Sequence, residues 1–366
     1  MKNLYFCTLF ESKSKLLGLN WANGLWVKTR TFRAFIKMPL KCEKRVRIPL
    51  GPLLMSIKLL HSKDQRRFKK QIGQANHFLI TILIGLNEVR KGTAKKPDTM
   101  DVSWNPKDFK ASAIRSEAYA LNSSLAWVID NFDAYVQNCN RNPRLIENIE
   151  LLNEINRAKH RVNDKFIALY NKYSSVETLK LYGSLVALGT QWRNNTTHSE
   201  AQNDLDKEYE NILLTNKEWY QNNCRNLDIE RAYNSFKKHK TPTLKEVASI
   251  IKSVSKFVEI VDTELIKELD IERYISEIFE KHFKVNNDSN DQEDNSVNST
   301  SKQDEKEVFS IPKQDKRVLL PNLSNDRLFS RIKNILVNNG FSVVDDPNGL
   351  EVDEDFIKKY FGDYFK

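Results

Sequence analysis

The sequence predicts a mainly α-helical protein: a helical bundle, then a disordered linker, then a small α+β module at the C-terminus. Three observations predict it. Apolar residues recur at three- and four-residue steps over long stretches between residues 112 and 283. Short polar or proline-containing breaks separate those stretches, the pattern of antiparallel helices joined by short connections. Between Lys284 and Glu307 the only apolar side chains are Val285 and Val297, with no aromatic. Such a segment cannot bury enough surface to offset its ordering entropy.

Residues 1–54 form a basic extension with no sustained helical or strand period. They hold eleven Lys and Arg against two acids, so nine of the chain's ten net positive charges lie there. Three readings are open: a basic arm that binds nucleic acid, a membrane-surface segment, or an over-long start with translation beginning at Met38 or Met55. The apolar stretch "LYFCTLF" is too short for a good signal peptide and no small-residue cleavage site follows it.

Residues 55–111 read as a helix plus loop. The helical pattern runs from Ile57 to about Val89, basic first in "HSKDQRRFKKQ" and apolar later in "HFLITILIGLNEV". Gly92, Pro97 and Pro106 mark a long loop after it. The helical domain occupies 112–283. Its first helix carries Ala118, Leu121, Leu125, Val128, Phe132 and Tyr135 on one stripe, and Pro143 breaks the chain. A second places Leu145, Ile149, Leu152, Ile155, Val162, Phe166, Leu169 and Tyr173 on one face. A third spans about Val176 to Trp192. A fourth continues through "LDKEYENILLTNKEWYQNNC", and a further one begins at Thr243, which forms a capping box with Glu246. Residues 284–317 are the linker. Residues 318–366 read as helix, strand, turn, strand, helix, with Gly340 as the helix stop and "DDPNG" as the turn.

No apolar run approaches the roughly 20 residues that a membrane span needs, so no membrane partner is expected. Cys7, Cys42, Cys139 and Cys224 are scattered without a CxxC pair, which fits a reducing cytosol and gives no metal framework. No Gly-rich phosphate loop, metal-ligand helix motif or nucleophile elbow occurs. No cofactor and no metal is expected.

The candidate site is "QWRNNTTHSE", residues 191–200. Between Arg193 and His198 lie only Asn194, Asn195, Thr196 and Thr197, poor helix-interior residues and good caps. Thr197 with Glu200 spells a capping box, so the third helix is expected to end near Arg193 and a new one to start at Thr197. His198 then sits in a first turn, where free backbone N–H groups attract anions. Arg193 can grip a phosphate with two hydrogen bonds. His198 can give and take protons near neutrality. These are the parts needed to cleave RNA through its own 2′-hydroxyl. The plainer alternative is that Arg193 and His198 only cap helix ends. Asp130 and Asp133, on an otherwise apolar helix, either hold Arg193 or His198 or face solvent opposite the core stripe. His61, His77, His160, His239 and His282 have no comparable setting, and the aromatic residues of "NKEWYQNNC" stack on bases or fill the core.

Arg193 followed by Asn194, with His198 after four intervening residues, resembles the motif of the HEPN superfamily (higher eukaryotes and prokaryotes nucleotide-binding domain). The resemblance covers roughly residues 112–225. It implies a homodimer whose two motifs meet in one composite, metal-independent ribonuclease site, often in toxin–antitoxin or phage-defence systems. It implies Arg193 and His198 as the catalytic pair with Asn194 orienting them, RNA as the substrate, an antitoxin or other regulatory protein as partner, and a cytoplasmic location; Thr197, with Asp130 and Asp133, is a further supporting candidate. The family also contains inactive members that only dimerise or bind nucleotides or partners.

Overall fold

The computed structural model describes residues 20–22, 25–27, 55–197, 203–283, 325–343, 349–352, 355–356 and 359. The expected linker 284–317 and the expected turn "DDPNG" lie outside them, apart from Gly349. The chain divides into two compact units, 1–53 and 54–366. In the first, β1 (Asn20–Ala22) pairs antiparallel with β2 (Leu25–Val27), Trp21 in register with Trp26. The connecting dipeptide is Asn23-Gly24, the composition favoured by two-residue hairpin loops. Strands of three residues are too short to show a period, so the sequence pattern did not reveal them.

The second unit is mainly helical, with eleven helices and a small antiparallel sheet among the described residues. The sheet corrects the start of the first helix. Residues Met55–Leu59 form β3, not helix. Ile57 and Leu59 are buried while Lys58 between them is exposed, the alternation of a strand. Helix α1 (Lys63–Arg90) begins only after Ser62, whose side chain caps it by accepting from the Gln65 N–H.

Five more helices lead to the candidate site. They are α2 (Phe109–Cys139), α3 (Ile149–Ala158), α4 (Val162–Tyr173), α5 (Glu177–Thr197) and α6 (Lys207–Thr215). The single second helix expected from the sequence is thus two, α3 and α4, broken where Lys159 takes a left-handed backbone (φ 50°). The expected fourth helix also divides, into α6 and α7 (Lys217–Asn223), at Asn216. Then follow α8 (Ile229–Lys237), α9 (Leu244–Glu268) and α10 (Ile271–Phe283). The capping box at the start of α9 is present: the Glu246 N–H donates to Thr243 Oγ1, and Glu246 Oε2 accepts from the Thr243 N–H at 2.6 Å.

Helix α5 is the centre of the bundle. Every residue from Gly183 to Thr190 is buried. A Cβ at Gly189 would lie 2.6 Å from Ile250 of α9, so glycine lets the two helices approach. Phe132, Phe166, Phe257, Tyr170 and Tyr209 pack on one another from α2, α4, α9 and α6, and Tyr170 and Phe257 lie against Gly183 of α5. The stripe Leu121, Leu125, Val128, Phe132 and Tyr135 is buried as expected, with Ala118 half-buried at its edge.

The C-terminal residues share structure with the beginning of this unit. Helix α11 (Asn325–Asn338) leads to β4 (Phe341–Val343) and β5 (Leu350–Val352), and β3 lies between those two strands. Ile57 is in register with Val343 on one side and Leu350 on the other. Ile332, Leu336, Phe341 and Phe356 join the same apolar core as Tyr274 and Phe279 of α10. The small α+β part is therefore completed by Met55–Leu59 rather than formed by 318–366 alone.

Candidate functional site

The polar stretch does not end α5. The helix runs through Arg193, Asn194, Asn195 and Thr196 to Thr197. Thr196 Oγ1 and Thr197 Oγ1 both donate to the Arg193 carbonyl, at 3.0 and 2.8 Å. Threonine back-bonding of this kind satisfies the hydroxyl inside a helix, where a cap would have turned it outward. The next helix, α6, starts at Lys207 and is capped by Asp206, which accepts from the Glu208 N–H. The helix end expected near Arg193 thus lies at least a turn later, and α6 is not the helix that Thr197 and Glu200 were expected to open. His198 and Glu200 lie outside the described residues.

Arg193 therefore projects from the last turns of α5, where the carbonyl end of the helix dipole favours a cation. One guanidinium nitrogen donates to Asp130 Oδ1 of α2 at 2.8 Å and another to Asn194 Oδ1 at 3.1 Å. Its Nε is buried with no hydrogen-bond partner. The Arg193 side chain is mostly covered, whereas Asp130 is 57% exposed. The guanidinium end is thus held at the protein surface by an exposed carboxylate and an amide oxygen. Asn194 Nδ2 donates in turn to Gln191 Oε1 at 3.5 Å.

The two aspartates part company. Asp130 holds Arg193, one of the two outcomes the sequence left open. Asp133 does neither of the things expected of it: it turns inward and accepts from Lys165 Nζ at 2.6 Å. Lys165 is 2% exposed. A lysine so deeply placed needs a charged partner, so Asp133 is tied to the core.

Asn203, Trp127 and Tyr119 lie at or near the site and were not foreseen. Asn195 Oδ1 accepts from the Asn203 N–H at 2.7 Å, and Asn195 Nδ2 donates to the Asn203 carbonyl at 3.0 Å. Asn203 thus lies against the last turns of α5. Trp127 lies one turn before Asp130 on the outward side of α2, and Tyr119 two turns before Trp127. They are 53% and 76% exposed. The stripe of buried residues drew attention to the other face of this helix. Of the aromatics in "NKEWYQNNC", Tyr220 is buried with its hydroxyl donating to the Leu181 carbonyl at 2.6 Å, and Trp219 packs edge-on against Tyr182. They belong to the core.

His77, His160, His239 and His282 are exposed and His61 half-buried, none of them beside Arg193 in any described contact. Among the described residues no three His, Cys, Asp or Glu side chains gather as metal ligands. No helix among them is long and apolar enough to cross a membrane. Cys139 and Cys224 are buried free thiols. A polar hollow of about 520 Å³ lies between α8 and the start of α9, lined by Asp228, Arg231, Lys238 and Thr243 among others, and does not include Arg193. Comparison with protein-family models, with curated proteins and with solved structures finds no match for this chain.

Proposed function

We propose that this protein is a metal-independent endoribonuclease of the HEPN type, acting as a toxin or phage-defence effector. The observation that supports the reading best is the presentation of Arg193. Its fork is held at the surface of the bundle by Asp130 and Asn194, with the adjoining polar residues Asn195, Thr196 and Thr197 all engaged in holding the end of α5. In this reading Arg193 clamps the scissile phosphate, and His198 moves protons to and from the 2′-oxygen and the leaving oxygen. Asn194 and Asp130 orient the guanidinium. A planar two-bond grip on phosphate requires arginine.

Proton transfer at both oxygens calls for two imidazoles, which a two-fold dimer supplies. The homodimer is part of the same proposal. Expression of the wild type in a bacterial host should stop growth and degrade RNA, and His198→Ala should do neither. A mass measurement in dilute solution that finds active protein wholly monomeric would sink the composite site.

A second reading is a non-catalytic module that binds a partner, which would include an antitoxin. The second half of α1 favours it. Phe78, Ile80, Ile82 and Ile84 are all substantially exposed, Ile84 at 65%. A helix apolar around its circumference is normally covered. Co-purification of a protein partner lost on Phe78→Ser and Ile84→Ser, with intact RNA in the wild-type expression test, would select this reading.

A further inference from the structure

The first half of α1 carries five cations, of which Lys63, Arg66, Arg67 and Lys70 form one group. Their spacing of three, four and seven residues puts them on one face of the helix. The opposite face, through Gln65, Phe68 and Ile72, is buried. All four cations are exposed. Two contacts bring other elements to this face. Arg66 donates to the carbonyls of Val337 and Asn338 at 2.7 and 3.2 Å, which seats the end of α11 beside it. Lys281 Nζ donates to the Asn142 carbonyl at 3.4 Å, which seats the end of α10 against the corner that holds Arg141. Arg141 and Lys281 are exposed as well.

We propose that this face, built from Lys63, Arg67, Lys70, Arg141 and Lys281, binds the phosphate backbone of single-stranded RNA. The inference rests on the ribonuclease reading only for the identity of the polyanion. Lys69, on the same helix but turned the other way, is taken up by Glu259 at 3.4 Å. Among the described residues Lys63, Arg67, Lys70 and Lys281 have no carboxylate at ion-pair distance. Asp64 is the one acid between Ser62 and Lys70. It is half-buried, with Lys63, Arg67, Lys281 and Arg141 around it. On α10, Glu277 is committed to Arg273 and to the Arg144 N–H, and Glu280 is the exposed acid of the last turns.

The charges act on one spot. Partial covering of its ring, and then Lys63, Lys281 and Arg331, hold the largely exposed His282 imidazole below its usual range. Positive potential gathered from several elements is the electrostatic footprint of a nucleic-acid surface. A membrane surface fits less well. The apolar side of this half of α1 is packed into the core, and the exposed apolar side chains begin only at Phe78, about 12 Å further along the helix. A membrane-lying helix would need an apolar face beside its basic one. Along α2, the corner after Cys139 is about 14 Å from Asp130, so a strand held here lies within a few nucleotides' axial distance of Arg193.

The test is binding by the full chain of a fluorescein-labelled 2′-O-methyl RNA oligonucleotide, which cannot be cut through its 2′-oxygen, across a salt series. Wild type should bind, more weakly as salt rises. The combined variant Lys63→Glu, Arg67→Glu, Lys281→Glu should bind about tenfold more weakly or worse, with a slope of log affinity against log salt shallower by about 2. A control with equal charge change elsewhere, Lys110→Glu, Lys217→Glu, Lys237→Glu, should bind as wild type. If the first variant fails a circular-dichroism check of folding, the glutamine versions at the same three positions take its place. No binding by wild type, an unchanged slope in the variant, or equal losses in the control overturn the proposal. So does capture of phosphatidylserine vesicles in place of the oligonucleotide. Binding through this face without any cleavage of unmodified RNA leaves the surface standing and the ribonuclease reading fallen. Cleavage that the variant retains in full, with unchanged binding, does the reverse.

Discussion

Asp130 and Asp133 stand three residues apart on α2, and the structure gives them opposite roles. Asp130, itself exposed, reaches the partly covered guanidinium of Arg193, while Asp133 neutralises a lysine inside the core. Losing one partner of a buried pair leaves an uncompensated charge. Asp133→Ala is therefore expected to cost about 3–5 kcal/mol of stability in chemical denaturation. Asp130→Ala should cost no more than about 1 kcal/mol, as for other exposed pairs. It should lower RNA cleavage instead, because Arg193 loses its orienting carboxylate. Equal destabilisation by the two would make the Asp130–Arg193 pair a structural tie. The sequence narrowed the choice to these two aspartates and could go no further. At three residues' separation they point about 60° apart, and the inward one is chosen by Lys165, which sits on another helix. Arg193 and Asn194 were legible because arginine beside asparagine in a polar gap is a chemical signal, independent of packing. Asp262 shows what such a signal misses. Nothing near it in sequence hints that its buried carboxylate accepts from the Ser62 hydroxyl and N–H and from the Tyr135 hydroxyl.

At the level of elements, amphipathic stripes were readable wherever a helix had one buried face. The stripe of α2 and the capping box of α9 are examples. The misreadings share a cause. Asn194 to Thr197 have local chemistry compatible with either a cap or a back-bonded helix, and the packing of α5 against α2 and α9 favours the longer helix. Ile57 and Leu59 belong to a strand whose partners lie about 290 residues away, so no local window contains the evidence. Gly340 was expected to stop a helix, and it does more than that. It takes φ +116° at the end of α11, and a Cβ there would collide with the His61 carbonyl. Gly340→Ala should lower the thermal midpoint, with a cost of at least about 1–3 kcal/mol from the backbone strain alone. A variant that unfolds at the wild-type temperature would show that β4 can shift away from the turn before α1.

For the molecule as a whole, stability and function make separate demands. Burial pushes the Asp262 carboxyl above its ordinary value, against the pull of its three hydrogen bonds and the nearby His61. A carboxyl with a raised pKa in the folded state binds its proton more tightly there than in the unfolded chain. Its contribution to stability is therefore greatest below about 3.8 and is lost as pH rises through the folded-state value. Unfolding free energies measured against pH should show that falling component in the wild type and its absence in Asp262→Asn. A difference curve that is flat would mean that the carboxyl is not shifted upward. The proposed function rests instead on the contact between Arg193 near the end of α5 and Asp130 on α2. The central claim, an RNA-cutting site that needs no metal, is tested most directly by purified protein and unmodified RNA in EDTA, with the new ends analysed. Wild type should yield 2′,3′-cyclic phosphate or its opened form, should leave DNA intact, and should show a rate that varies with pH near neutrality. His198→Ala should be slower by about a hundredfold or more, and Arg193→Lys should also be impaired. RNA cut equally well by wild type and His198→Ala, or no cutting by wild-type protein, would contradict the account.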